Sequence, residues 1–172
     1  MIFHIREFVL TLIVCSLGIV LHRCTGSYFP PLDSLKEALN TKEKIWLKKR
    51  TYNQSGIMCV HITKRSLSGN HYNFSLYYRN GSKPMPSHFY SADLSDSEEG
   101  PVMIVRQTGS QYTLKYINEN ERCGIVTITK SDEECEQYVL DDGIDIDTPQ
   151  CDAVYYDNCK NKTYKVYKNG CR

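Results

Sequence analysis

His71-Tyr-Asn-Phe-Ser-Leu-Tyr-Tyr-Arg79 is the stretch on which the fold turns. Tyr72, Phe74, Leu76 and Tyr78 occupy every second position, with His71, Asn73, Ser75 and Tyr77 between them. Side chains alternate across a strand, so this pattern predicts a strand with two unlike faces. Asn73 heads Asn-Phe-Ser, an acceptor for N-linked glycan, and a glycan must point to water. The Tyr72/Phe74 face therefore points inward.

The same period of two extends in both directions. Strands are expected near 44–52, 57–64, 71–79, 88–93, 102–107, 111–118, 123–129 and 135–140. Turn residues separate them: Asn53-Gln-Ser-Gly56, Ser68-Gly-Asn70, Asn80-Gly81, Gly100-Pro101 and Gly109-Ser110. Eight short strands punctuated this way predict an all-β barrel or sandwich. Closure removes exposed strand edges and favours an up-and-down barrel with a pocket inside. If Cys59 and Cys123 anchor the C-terminal tail they face outward, and parity then places Met58, Val60 and Ile62 inside. It also groups Gly124, Val126 and Ile128; Tyr112, Leu114 and Tyr116; Glu136, Tyr138 and Leu140; and Val102, Ile104 and Arg106.

Two segments read differently. Leu32, Leu35 and Leu39 recur at helical spacing, with Asp33 or Ser34 able to cap a short N-terminal helix. Thr148-Pro-Gln-Cys-Asp152 has the cap, early proline and acid of a helix start, so a second helix is expected to pack outside the strands. A last short strand is expected at 163–167.

The chain begins with a short stretch bearing Arg6, then an apolar run from Phe8 to Leu21, then Cys24-Thr-Gly26. That is the layout of a secretory signal over 1–26, with the mature domain at 27–172. The run is shorter than a spanning helix needs, which disfavours a membrane anchor. Cleavage there leaves six cysteines: Cys59, Cys123, Cys135, Cys151, Cys159 and Cys171. An even set in an oxidising compartment predicts three disulfides, with their pairing left open. Sequons at Asn53, Asn73, Asn80 and Asn161 agree with secretion and glycosylation. The formal net charge of +1 leaves no footprint for nucleic acid. Lys48-Lys49-Arg50 reads as a solvated strand end. No pair of cysteines or histidines has metal-ligand spacing, and Asp141 to Asp147 lacks the order of a calcium loop, so neither metal nor cofactor is expected. His61 and His71 face outward and no serine sits in a nucleophile motif, so no enzyme is expected.

Three stretches carry a family resemblance: Asp33 to Asn40 running into Ile45 to Tyr52; the order of Cys59, Cys123, Cys151 and Cys171; and Cys151 to Cys159 followed by Tyr164 to Cys171. Together they resemble the salivary lipocalins of ticks, typified by the histamine-binding proteins. The resemblance implies an eight-stranded antiparallel lipocalin-type barrel, secretion into saliva and capture of a small host mediator to evade host defence. It implies the bridges Cys59–Cys171 and Cys123–Cys151, leaving Cys135–Cys159. The amine binders of that family show a Cys-Asp, then a Glu-Leu-aromatic, then a cysteine. Here Cys123-Gly124, Glu136-Gln137-Tyr138 and Cys151 match, with Gly124 in place of the acid and Gln137 in place of the leucine. Asn40 stands where some amine binders carry an acid.

A buried amine needs a carboxylate, and aromatic faces strengthen the site. Glu136 is the candidate carboxylate, with Trp46, Tyr52, Tyr72, Phe74, Tyr78, Tyr112 and Tyr138 as candidate lining. A lipid acid needs a cation and an apolar bed, for which Arg106 is the candidate. The third expectation is a barrel that serves as a scaffold for loops engaging a host defence protein. A monomer is expected in each case.

Overall fold

The computed structural model describes residues 29–129, 134–159 and 162–172. The expected signal at 1–26 and the sequon at Asn161 lie outside them. The chain runs α1 (Leu32–Leu39), β1 (Ile45–Arg50), β2 (Ile57–Ser68), β3 (His71–Asn80), β4 (Lys83–Pro84), β5 (His88–Ser95), β6 (Val102–Val105), β7 (Gln111–Asn118), β8 (Cys123–Ile128), β9 (Glu134–Leu140), α2 (Pro149–Asn158) and β10 (Tyr164–Lys165). Among the described residues no helix is long and apolar enough to cross a membrane.

Eight of the strands form one antiparallel sheet in the order β1-β2-β3-β5-β6-β7-β8-β9. It closes because β1 pairs on both sides: Ile45 faces Ile62 of β2 and Leu140 of β9. The architecture is therefore a barrel and not a sandwich. β4 only extends the β3 hairpin, and β10 pairs with the far end of β1 at Lys49 and Arg50. Helix α1 covers one end of the barrel with Leu35 and Leu39 buried. Its N-cap is Pro31 with no side-chain cap, so neither Asp33 nor Ser34 serves as the expected cap. Helix α2 lies outside the barrel and buries Cys151 and Tyr155. Its first N–H groups are met by a distant carboxylate: Glu121 accepts from Gln150 and Cys151, both at 2.9 Å. An acid at that position suits the helix N-terminus.

Strict alternation fails where a strand carries an extra residue. The register shifts between Leu47 and Lys49, between Met58 and His61, between Lys64 and Ser66, and between Leu114 and Tyr116. Such bulges set two residues against one and switch the face of the residues beyond them. Met58 consequently packs with the outer layer and not with Val60 and Ile62, and Tyr116 leaves the face of Tyr112 and Leu114. Cys59 accommodates its bulge with a φ of 54°, in the left-handed region. Strand β6 ends at Val105, shorter than expected, and its inward residues are Met103 and Val105. Met103 pairs with Tyr112 and Leu94, while Ile104 is exposed.

Three disulfides brace the outer layer: Cys59–Cys171, Cys123–Cys151 and Cys135–Cys159. This is the pairing implied by the family resemblance. The basic run of β1 is not a solvated strand end. Lys48 donates to Thr148 at 2.9 Å, Lys49 donates to Asp152 at 2.8 Å beneath two tyrosine rings, and Arg50 is 3 % exposed.

Candidate functional site: the barrel cavity

The inward faces do not fill the barrel. They enclose a cavity of about 540 Å³ that runs from beneath α1 to the turn after β6. Its wall is mainly aliphatic, with Ile45, Ile62, Leu114, Ile117, Val126 and Leu140 among the residues contributed by β1, β2, β7, β8 and β9. Phe74, Tyr90, Tyr112 and Tyr138 form an aromatic stretch of the wall. Gly124 faces Tyr138 across β8 and β9, and a Cβ there would meet only Tyr116 O at 3.4 Å and Leu114 Cδ1 at 3.5 Å. The glycine thus adds width to the cavity.

Behind the aromatic stretch lies a buried carboxyl. Glu136, 3 % exposed, accepts hydrogen bonds from the hydroxyls of Tyr52 and Tyr138, the latter at 2.6 Å. Burial pushes its pKa up, while those two hydrogen bonds and the charge of Arg50 pull it back. Burial, reinforced by the Glu136 charge, pushes the phenols of Tyr52, Tyr112 and Tyr138 up in turn. All three are neutral hydrogen-bond donors at ordinary pH. Arg50 shares a register position with Glu136, and its guanidinium donates to Gln54 and to the Ile57 carbonyl.

The wall charges are concentrated under α1. Arg122 donates to Glu43 at 2.5 Å and to Asp142 at 2.9 Å, so the one arginine of the cavity wall is already paired twice. Gly143 permits this arrangement: a Cβ there would lie 2.6 Å from Arg122 Cβ.

Of the residues expected to bind ligand, Phe74, Tyr112 and Tyr138 line the cavity, and Glu136 and Tyr52 back it through hydrogen bonds. Tyr72 is fully buried in the adjoining apolar cluster, and Tyr78 packs with Leu47, Val60 and Val166 and stacks on His88. Trp46 faces away from the cavity, into the layer beneath the C-terminal tail, and donates to Asp141 at 2.5 Å. Arg106, expected to point into the barrel as the anchor for a lipid acid, does not. It lies past the end of β6 on the outer surface, where it pairs with Asp93 at 2.6 Å beside His71. It therefore cannot anchor a ligand inside. Sequence reasoning missed Tyr90 and Met103. Tyr90 was accessible from the alternation Tyr90, Ala92, Leu94, and Met103 from the opposite parity choice in β6. Ile117 and Arg122 were hidden by the β7 bulge and by a turn. Glu121, Cys123 and Cys151 lie close enough to suggest a metal site, but the two cysteines are bonded to each other and Glu121 caps α2.

A closed antiparallel barrel with a helix across one end, a second helix outside and an axial cavity defines a lipocalin-type protein. The model of the tick histamine binding protein family matches residues 30–172, and the chain belongs to that family. Among solved structures, the chain is similar to Japanin from Rhipicephalus appendiculatus bound to cholesterol, at 13 % identity and a TM-score of 0.58 over 76 % of this chain and 95 % of that one. It is similar to AM182 in a serotonin complex, at 12 % identity and a TM-score of 0.61 over 79 % and 90 % of the two chains. The siderocalin Ex-FABP shares the fold at 7 % identity and a TM-score of 0.58 over 77 % and 96 %. A comparison with curated protein sequences finds no match.

Proposed function

We propose that this chain is a secreted binding protein that sequesters one small, largely apolar amphiphile of neutral lipid type in its barrel cavity and so removes a host mediator. The observation that carries this reading is an aliphatic wall whose one cation is already paired within the protein and whose unpaired carboxylates, Glu37 and Glu119, lie at its exposed end, away from the buried carboxyl behind it. Arg122 is held by Glu43 and Asp142, and both Glu136 oxygens accept from phenols. Such a wall offers little to an ionised head group and much to an apolar body with one hydroxyl or carbonyl. On this reading the Tyr112 hydroxyl meets that head, and the Tyr138 hydroxyl, whose proton goes to Glu136, can only accept from it. Cholesterol in Japanin gives a relative of the same fold holding a ligand of this class. The three disulfides and the sequons at Asn53, Asn73 and Asn80 support secretion and glycosylation, and no catalytic role is proposed.

Native mass spectrometry of the secreted protein against sterols, fatty acids, leukotrienes and biogenic amines tests this reading. A neutral lipid should be retained, and Gly124→Leu, which fills the cavity beside Tyr138, should lose it while the fold persists. Equal retention by Gly124→Leu would reject the cavity as the site.

A second reading is supported by Glu136. A buried carboxyl beside aromatic rings suits a protonated amine, reached through Tyr138, and AM182 holds serotonin. If amines bind here, Glu136→Gln should cut their affinity by at least about tenfold, the scale of one lost charged hydrogen bond. Unchanged amine affinity would remove this reading.

A further inference from the structure

We propose that ligands reach the cavity beneath α1, through an opening whose carboxylates, chiefly Glu37 and Glu119, discriminate against anionic amphiphiles. The proposal rests on the cavity-binding reading and extends it to how the site sorts ligands of similar shape. Most wall residues are buried or half-buried. Glu37 on α1, Asn40 at its C-terminal end and Glu119 in the turn between β7 and β8 are exposed wall residues at the helical end; the uncharged Thr108, in the turn after β6, is the exposed wall residue at the other. The charged part of the exposed wall therefore lies between α1 and the β7–β8 turn, which is where the proposal places the entrance.

The charges around this opening do not balance. Glu37, Glu43 and Glu119 stand against Arg122 in the wall. Arg122 is consumed by Glu43 and by Asp142 from the loop after β9. Lys64 lies nearby and donates to Asn40 at 2.7 Å, but it is not part of the wall. Among the described residues, the side chains of Glu37 and Glu119 have neither an ion-pair nor a hydrogen-bond partner.

Carboxylates at the mouth of an apolar cleft act on a passing charge more strongly than the same groups on a convex surface, because low-dielectric walls focus the field. A long-chain carboxylate and a neutral alcohol can share one apolar tail, so the aliphatic wall alone does not separate them. The rim does: it slows an anion, speeds a cation and leaves a neutral molecule to diffuse in. The device acts on the rate of arrival, and salt should erase it.

Three fluorescent probes of one shape provide the test: diphenylhexatriene, its propionic acid derivative and its trimethylammonium derivative. Stopped-flow association rates at about 20 mM salt should rank cation, neutral, anion, and should converge near about 0.5 M, where screening shortens the reach of each charge to a few ångströms. In the double variant Glu37→Lys, Glu119→Lys the rate ratio of anion to neutral should rise by about tenfold, and that of cation to neutral should fall. Glu37→Gln, Glu119→Gln should give an intermediate result. Ratios unchanged in both variants would overturn the proposal. So would three rates changed by one common factor, since the residues would then act through shape. Failure of all three probes to bind the wild-type protein would overturn the cavity reading, and this one with it.

Discussion

Glu136 sits where a carboxyl is hardest to ionise, and the pH dependence of stability should show it. Its folded-state pKa lies above that of an unfolded chain, so the folded protein holds the proton more tightly. The stability contributed by this group is therefore present in acid and is lost as pH rises from the ordinary carboxylate range through the raised value. Thermal melts from pH 4 to pH 8 should show the wild-type protein gaining on Glu136→Gln as pH falls; a constant gap would mean that Glu136 titrates normally. Glu136, Tyr138, Phe74 and Tyr112 were legible in the sequence because each sits at a clean alternating position of a strand. Arg106 was misread because Val102, Ile104 and Arg106 form as good an alternating set as Met103 and Val105. Only the cavity chooses between them: Met103 and Val105 line it, whereas Val102 and Ile104 do not. Trp46 was misread for a related reason. A large aromatic is equally at home in a pocket or under a disulfide-braced tail, and its pairing with Asp141 is not visible from its neighbours.

At the scale of elements, the eight barrel strands and their order were readable, while the two-residue β4 and the phase of the strands that carry bulges were not. The bulges responsible are concentrated where the C-terminal segment docks. Lys48, the extra residue of β1, accepts through its carbonyl from Val166 at 3.0 Å and Tyr167 at 3.3 Å. Cys59 donates its backbone N–H to Val166 at 3.0 Å. Tyr116, displaced by the β7 bulge, reaches Gln150 of α2. A one-residue irregularity leaves almost no local signature, because the groups that meet it are distant in the chain, from 34 residues for Tyr116 and Gln150 to the far C-terminal segment for Lys48 and Cys59. The loop after β9 gives a testable case of such distant packing. Gly143 has no room for a side chain against Arg122, which itself holds a left-handed φ of 56°. Gly143→Ala should destabilise the fold by about 1–3 kcal/mol, the usual cost of forcing atoms into a packed site. Urea unfolding would measure it, and a loss below about 0.5 kcal/mol would show that Arg122 moves aside without cost.

For the whole molecule, the cross-links matter more than any single contact. Cys59–Cys171 spans 112 residues of sequence and Cys135–Cys159 spans 24. Replacing Cys59 and Cys171 together by serine should cost about 2–5 kcal/mol, and more than the equivalent change at Cys135 and Cys159, because the longer loop restrains the unfolded chain more. Guanidinium unfolding of both double variants gives the comparison; the reverse order would indicate that local strain, and not loop length, governs the outcome.

The displaced strand residues also leave the barrel wall with two separate clienteles. One set of side chains surrounds the hollow interior, and the other seats the braced tail, with little sharing between them. A change of residue facing the hollow therefore need not disturb the layer that keeps the chain folded. Descendants of such a sequence can exchange one captive molecule for another while their stability is looked after on the other side of the wall.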